Sequence, residues 1–181
     1  ESGLSGVRTT KAFANEAEEL EKFNVSKVQV VGNLPYYITT PIIMKLLESG
    51  IPFENITIMM QKEVADRLIA EPGTKNTGAI TYGVQCRCTV DKICDADRNC
   101  FDPAPKVDSV VLRLNLRKEP PVTPVSEKFF FQCIKAGFMM RRKSLINSLT
   151  ALNTLDASYN FGKDENQKAL KECGIESKRR A

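Results

Sequence analysis

The amino-acid sequence predicts an α/β fold, a sheet layered with helices, followed by a small all-α domain. Three observations carry this expectation. Short β-branched runs alternate with helical stripes through residues 28–71, the pattern of strands joined by crossover helices. Later strands, ending in the alternating run Val107 to Leu116, come without full crossover helices between them; they suit the antiparallel finish of a mixed sheet. Beyond the Pro-rich stretch Lys118 to Pro124 the apolar spacing becomes helical.

Val28-Gln29-Val30-Val31 reads as a buried strand that stops at Gly32. Asn33-Leu34-Pro35-Tyr36 reads as a loop, because Pro35 disfavours helix at Leu34. Thr40 is expected to cap a helix with Pro41 in its first position, and Ile42, Ile43, Leu46 and Leu47 give that helix an apolar face. Ile56 to Met60 is the next strand, Gln61 to Glu71 the next helix, and Pro72 to Gly78 a polar loop. Residues 79–87 fit a helix better than a strand, and Cys88 to Cys94 fits a strand. In the second half, Phe129, Phe130, Cys133, Ile134 and Phe138 form one helical stripe, Leu145, Ile146 and Leu149 a second, and Ala169, Leu170 and Cys173 a third.

Composition narrows the function classes. Apolar residues make up 42% and charged residues 27% of the 181 positions, as in a soluble globular protein. No run approaches the ~18 apolar residues of a membrane span, and the first residues carry no signal-peptide core. With no initiator Met, and with no closing helix after Lys178-Arg179-Arg180, the chain is expected to be a piece of a longer one. Charge is uneven: residues 1–105 hold 11 Lys/Arg against 14 Asp/Glu, and residues 106–181 hold 15 against 8. A basic C-terminal third suits a polyanion, and also suits a plain solvated face. Cys86, Cys88, Cys94 and Cys100 are spaced C-x-C-x5-C-x5-C in a chain without His, which is poor zinc spacing. No metal is expected, and the thiols are read as reduced, cytoplasmic cysteines.

Chemistry concentrates where the first strand ends. Open α/β sheets bind ligands at the carboxyl ends of their strands, where Asn33-Leu34-Pro35-Tyr36 falls. These residue types suit a planar, amine-bearing base. The Asn33 carbonyl can accept from an exocyclic amine, Pro35 can fix a main-chain carbonyl for the second proton, and Tyr36 offers a stacking ring. The competing reading is a simple strand-to-helix turn.

Several motifs in register point further. Gly32-Asn33-Leu34-Pro35-Tyr36 with Thr39-Thr40-Pro41, then Met60 to Arg67, Phe101-Asp102-Pro103-Ala104-Pro105-Lys106-Val107-Asp108-Ser109, Phe138 with Arg141-Arg142-Lys143-Ser144-Leu145, and Gly174-Ile175 with Lys178 to Ala181 resemble the ribosomal RNA adenine dimethyltransferases, small-subunit type. The erythromycin-resistance methylases of the large subunit are a more distant likeness. The resemblance implies part of a class I, Rossmann-like methyltransferase sheet in residues 25–117 and a helical RNA-binding domain in residues 118–181. It implies S-adenosyl-L-methionine as methyl donor, two adjacent adenines of small-subunit rRNA in the 30S particle as acceptor, and a cytoplasmic monomer. It assigns Asn33 to both donor and target N6, the Leu34 carbonyl to N6, and Tyr36 and Phe101 to the two faces of a flipped adenine. Arg141, Arg142 and Lys143 are expected to meet RNA phosphates, or in part to bridge the domains. Gln61, Lys62 and Glu63 are read as helix-start polar residues, and Asp108 and Ser109 as ordering the Phe101 loop.

The sequence also departs from that family. None of its ten glycines forms a G-x-G cluster at a strand-to-helix junction, so donor binding is expected to be weak or lost. Residues 1–24, with Leu4, Gly6, Arg8, Lys11, Ala12, Phe13 and Glu16, are similar to a helical segment of ABC exporter membrane domains. Two alternatives therefore stand beside an active dimethyltransferase: a non-catalytic RNA-binding fragment with an incomplete donor site, and a large-subunit adenine methylase.

Overall fold

The computed structural model describes residues 28–180. The segment expected as a helix over residues 1–24 lies outside them.

The first strand, β1 (Val28–Asn33), runs to Asn33 itself, and β-branched Val28, Val30 and Val31 favour the pleat. Helix α1 (Thr39–Glu48) crosses back to β2 (Phe53–Gln61), which pairs parallel to β1 with Gly32 opposite Ile58 and Asn33 opposite Met59. Helix α2 (Lys62–Leu68) and helix α3 (Ala79–Gln85) follow, then β3 (Cys88–Ala96) and β4 (Ser109–Leu116). The sheet order is β1-β2-β4-β3. β4 is antiparallel to both neighbours, with Gln61 opposite Ser109 and Ile58 opposite Leu112. The expected parallel start and antiparallel finish are thus both present.

Alternation along β2 and β4 sends Ile56, Ile58, Met60, Leu112 and Leu114 into one core, where Ile43 of α1, Leu68 of α2 and Val84 of α3 close over them. Each such side chain contributes about 1.5–3 kcal/mol when fully buried. Gly83 lets α3 lie against α1, since a Cβ there would stand 3.2 Å from the Met44 thioether.

A second core belongs to the helical part, made of α4 (Glu127–Met139), α5 (Leu145–Leu149), α6 (Leu152–Leu155) and α7 (Lys163–Glu172). Ala136, Ala151 and Leu152 are its buried centre, with Phe129, Cys133, Tyr159 and Phe161 packed around them. The Ser126 hydroxyl caps α4 by accepting from the Phe129 N–H. Among the described residues no helix is long and apolar enough to cross a membrane.

Local differences from expectation have physical causes. Helix α1 begins at Thr39, two residues early, because the Thr39 hydroxyl donates back to the Pro35 carbonyl at 3.1 Å; Thr40 is exposed and caps nothing. The α4 stripe is divided between two neighbours. Phe129 and Cys133 enter the helical core, while Phe138 meets Tyr82 of α3, ring centres 5.7 Å apart. In the third stripe only Leu170 is buried, with Ala169 and Cys173 exposed.

Candidate functional site

At the carboxyl ends of β1 and β2 lies a cavity of about 340 Å³ lined by Asn33, Leu34, Pro35 and Tyr36 on one side, Phe101, Pro103 and Pro105 on the other, and Met59 beneath. The structure therefore brings together Asn33, Leu34, Pro35, Tyr36 and Phe101. The volume falls at the lower end of small-ligand sites, suited to one base rather than a whole nucleotide.

The hydrogen-bond inventory of the turn is selective. Pro35's carbonyl is taken twice, by the Ile38 N–H at 3.1 Å and by the Thr39 hydroxyl. The Leu34 N–H is tied to the Met59 carbonyl at 3.4 Å. Among the described residues no donor reaches the Leu34 carbonyl, and the exposed Asn33 amide has no partner. Two adjacent oxygens are thus left to accept from a ligand that carries an amine. The flanking rings, Tyr36 and Phe101, are half-buried.

Each wall is held from behind. The Tyr36 hydroxyl shares a hydrogen bond of 2.7 Å with the fully buried Ser109 hydroxyl at the start of β4. Residues 97–108 form the opposite wall, entered through a short 3-10 turn (Arg98–Cys100) capped by Asp97 and containing a cis peptide at Asp102-Pro103. Asp108 closes this loop: its carboxylate accepts from the Arg98 N–H at 3.2 Å, and its carbonyl accepts from the Lys62 N–H at 3.0 Å.

Gln61 starts α2 without a side-chain cap, contrary to a capping role. Lys62 instead pairs with Asp66 at 3.0 Å and Glu63 with Arg67 at 2.6 Å along the exposed helix face. The Asp66 hydrogen bond holds the Lys62 pKa above its usual value. Arg141 takes a bridging position. Its guanidinium donates to the Lys75 carbonyl at 3.1 Å and lies over the Phe138 ring. Arg142 and Lys143 are exposed. A stronger tie between the sheet and helical parts is Arg87, which pairs with Glu127 at 2.7 Å and stacks on Phe131 at 3.8 Å.

Against known proteins, the profile of the family described as "Ribosomal RNA adenine dimethylase" matches residues 9–180. The chain belongs to this family. The match takes in residues 9–24, the stretch that also resembles an exporter segment. Among curated dimethylase relatives, the protein named "Ribosomal RNA small subunit methyltransferase A" from Clostridioides difficile (strain 630) is 47% identical over 160 residues, 88% of this chain and 53% of that protein. Its namesake from Geobacillus thermodenitrificans (strain NG80-2) is 47% identical over 164 residues, 91% of this chain and 54% of that protein. The chain thus spans about half the length of the curated relatives it matches. The crystal structure of a dimethyladenosine transferase from Plasmodium falciparum superposes with a TM-score of 0.67 at 27% identity, covering 83% of this chain and 60% of that one. The 23S rRNA methyltransferase ErmE, at 24% identity and a TM-score of 0.57, shares the fold. The Rossmann-like character of the dimethylase sheet follows from these neighbours.

Sequence reasoning missed Met59, Pro103 and Pro105 as lining residues. Met59 was accessible from the period-2 pattern of β2, which puts it on the face opposite Ile58 and Met60. The two prolines stood inside the recognised Phe101 motif.

Proposed function

We propose that this chain is the acceptor half of an rRNA adenine N6-dimethyltransferase acting on two adjacent adenines of small-subunit rRNA. The observation that carries the reading is the cavity lined by Asn33, Leu34, Tyr36 and Phe101, in which the Asn33 amide and the Leu34 carbonyl have no partner among the described residues.

An adenine stacked in a helix cannot enter a cavity of this kind, so the target base is flipped out. Tyr36 and Phe101 receive its two faces, and stacking of this kind is worth about 1–3 kcal/mol per base. The Asn33 and Leu34 oxygens accept the two N6 protons, which sets the nitrogen lone pair toward the open side of the cavity. As the nitrogen gains positive charge the same two oxygens stabilise it, and fixed orientation lowers the barrier further. No strong base is needed, because the developing ammonium is acidic enough to lose its proton to water. After one methylation a single N6 proton remains, and the base turns so that one oxygen holds it for the second transfer.

S-adenosyl-L-methionine, when bound, supplies the electrophilic methyl group. Asn33 is proposed to face it. The described residues bring neither a G-x-G turn nor an acidic side chain to this cavity. Arg142 and Lys143 are proposed to contact RNA phosphates. The proposed substrate is the 30S particle, met by a cytoplasmic monomer.

The test has two arms. Fluorescence anisotropy with a single-stranded RNA bearing adjacent adenines should show affinity that falls for Tyr36→Ala and Phe101→Ala; unchanged affinity in both would sink the base pocket. Calorimetric titration with S-adenosyl-L-methionine, paired with methyl incorporation into unmethylated 30S particles, decides catalysis. Loss of incorporation in Asn33→Ala supports the enzyme. No donor binding with RNA affinity retained favours a second reading, a non-catalytic RNA-binding fragment.

A further inference from the structure

On the other side of the Phe101 loop lies a second cleft, of about 450 Å³, whose lining includes Lys62, Glu63, Asp66, Arg98, Lys106 and Asp108. We infer that this cleft is a phosphate subsite, in which Arg98 and Lys106 hold the backbone phosphate adjoining the base between Tyr36 and Phe101. The inference deepens the base-pocket reading and rests on it.

Charge accounting within the cleft singles out those two side chains. Glu63 is engaged by Arg67 at 2.6 Å and Asp66 by Lys62 at 3.0 Å. Asp108 directs one carboxylate oxygen to the Arg98 main-chain N–H. Among the described residues the Arg98 guanidinium and the Lys106 ammonium have no acidic partner. The lining holds three cations and three carboxylates; with Lys62 pairing Asp66, and Arg67 pairing Glu63 from outside the lining, Arg98 and Lys106 are left facing Asp108. A guanidinium offers a planar fork to phosphate oxygens and an ammonium a point charge.

The position suits a single strand of nucleic acid. The segment from Arg98 to Asp108 is a shared wall, with Phe101, Pro103 and Pro105 facing the base cavity and Arg98 and Lys106 facing the charged cleft. On the opposite walls, Tyr36 bonds Ser109, and Ser109 stands in register with Gln61 at the floor of the cleft. Neighbouring strands lie about 4.8 Å apart. The shared wall suits a base in one cavity and the phosphate leading to the next nucleotide in the other, as parts of one continuous strand. Phosphate contacts of this kind set register without reading sequence. Here they would hold the backbone while the base turns between two methylations.

The experiment uses the full chain and a fluorescent single-stranded RNA with one central adenine. Anisotropy is read between 50 and 200 mM salt for wild type and for the double variant R98A/K106A, each against the parent RNA and against RNAs with one neutral methylphosphonate linkage beside the adenine. Removing one neutralised phosphate lowers the slope of log affinity against log salt by about 0.7. That drop is expected for the double variant on parent RNA and for wild type on the RNA neutral at the adjoining linkage. The variant and the neutral linkage combined should give no further drop. A variant with the wild-type slope, or two effects that add in full, overturns the subsite. Both side chains are exposed, so melting should match wild type. An RNA with an abasic nucleotide in place of adenine separates the two claims: binding equal to the parent removes the base reading, while the slope comparison alone decides the phosphate subsite.

Discussion

Tyr36→Phe separates what the Tyr36 ring does from what its hydroxyl does. The hydroxyl lies 2.7 Å from that of Ser109, and Ser109 is fully buried. Deleting the phenolic oxygen removes one neutral hydrogen bond, worth about 0.5–1.5 kcal/mol net, and orphans a buried hydroxyl, so a total of about 1–3 kcal/mol is expected. The reverse change, Ser109→Ala, leaves the Tyr36 hydroxyl beside an open cavity where water reaches it, so about 0.5–1.5 kcal/mol is expected. The cost is therefore asymmetric, and the double variant should recover about 1 kcal/mol of coupling. Urea unfolding followed by circular dichroism reads all three changes, and for a chain of this size 1 kcal/mol shifts Tm by roughly 2–4 °C. RNA affinity gives the orthogonal readout. Tyr36→Phe keeps the ring and should bind the adjacent-adenine RNA as wild type does, whereas Tyr36→Ala should bind about five- to 150-fold more weakly, from loss of stacking. A Tyr36→Phe variant as stable as wild type, with additive double-variant energies, would refute the claim that Ser109 positions this wall.

Further expectations follow from the same contacts. Leu112→Ala, in the sheet core, should cost about 2–5 kcal/mol in urea unfolding and leave the fold otherwise intact. Arg141→Ala should speed amide exchange in the loop of residues 72–78, because the Lys75 carbonyl loses its donor; Arg142→Ala and Lys143→Ala should weaken RNA binding at low salt and leave that exchange unchanged. Burial pushes the Cys88 thiol up to about 11. Iodoacetamide at neutral pH, read by peptide mass spectrometry, should therefore label exposed Cys94, Cys100 and Cys173 and spare Cys88. Hydrogen bonds from Lys128 and Ser158 hold the Asp156 carboxyl well below the usual carboxylate range. A lowered folded-state pKa stabilises above the unfolded value and is lost as pH falls through the folded one, so Asp156→Asn should flatten the acid limb of the stability–pH curve below about pH 4 and leave its slope at neutral pH unchanged.

The legible part of the site was the part contiguous in the chain. Asn33 to Tyr36 and the Phe101 loop, which line one cavity, are each a short run of residue types, and strand alternation set the faces of β2 and β4. The helical stripes were harder. One apolar stripe on α4 serves two bodies, so spacing alone could not say that Phe129 enters the helical core while Phe138 meets Tyr82. Helix starts shifted where a side chain found a better acceptor, as Thr39 did in the Pro35 carbonyl.

By itself the sequence determined the class of sheet, the motif of the proposed acceptor site and the family, because periodicity and contiguous motifs are local properties. Bonds three and four positions along the chain consume the Pro35 oxygen, whereas only the tertiary structure decided that the Leu34 N–H meets the Met59 carbonyl and the Tyr36 hydroxyl meets that of Ser109. It also decided that Arg141 reaches a carbonyl 66 positions away, and that Arg98 and Lys106 share a cleft beside the base cavity. Such facts depend on which distant groups compete for each donor, acceptor and charge, and that competition exists only once the chain has folded.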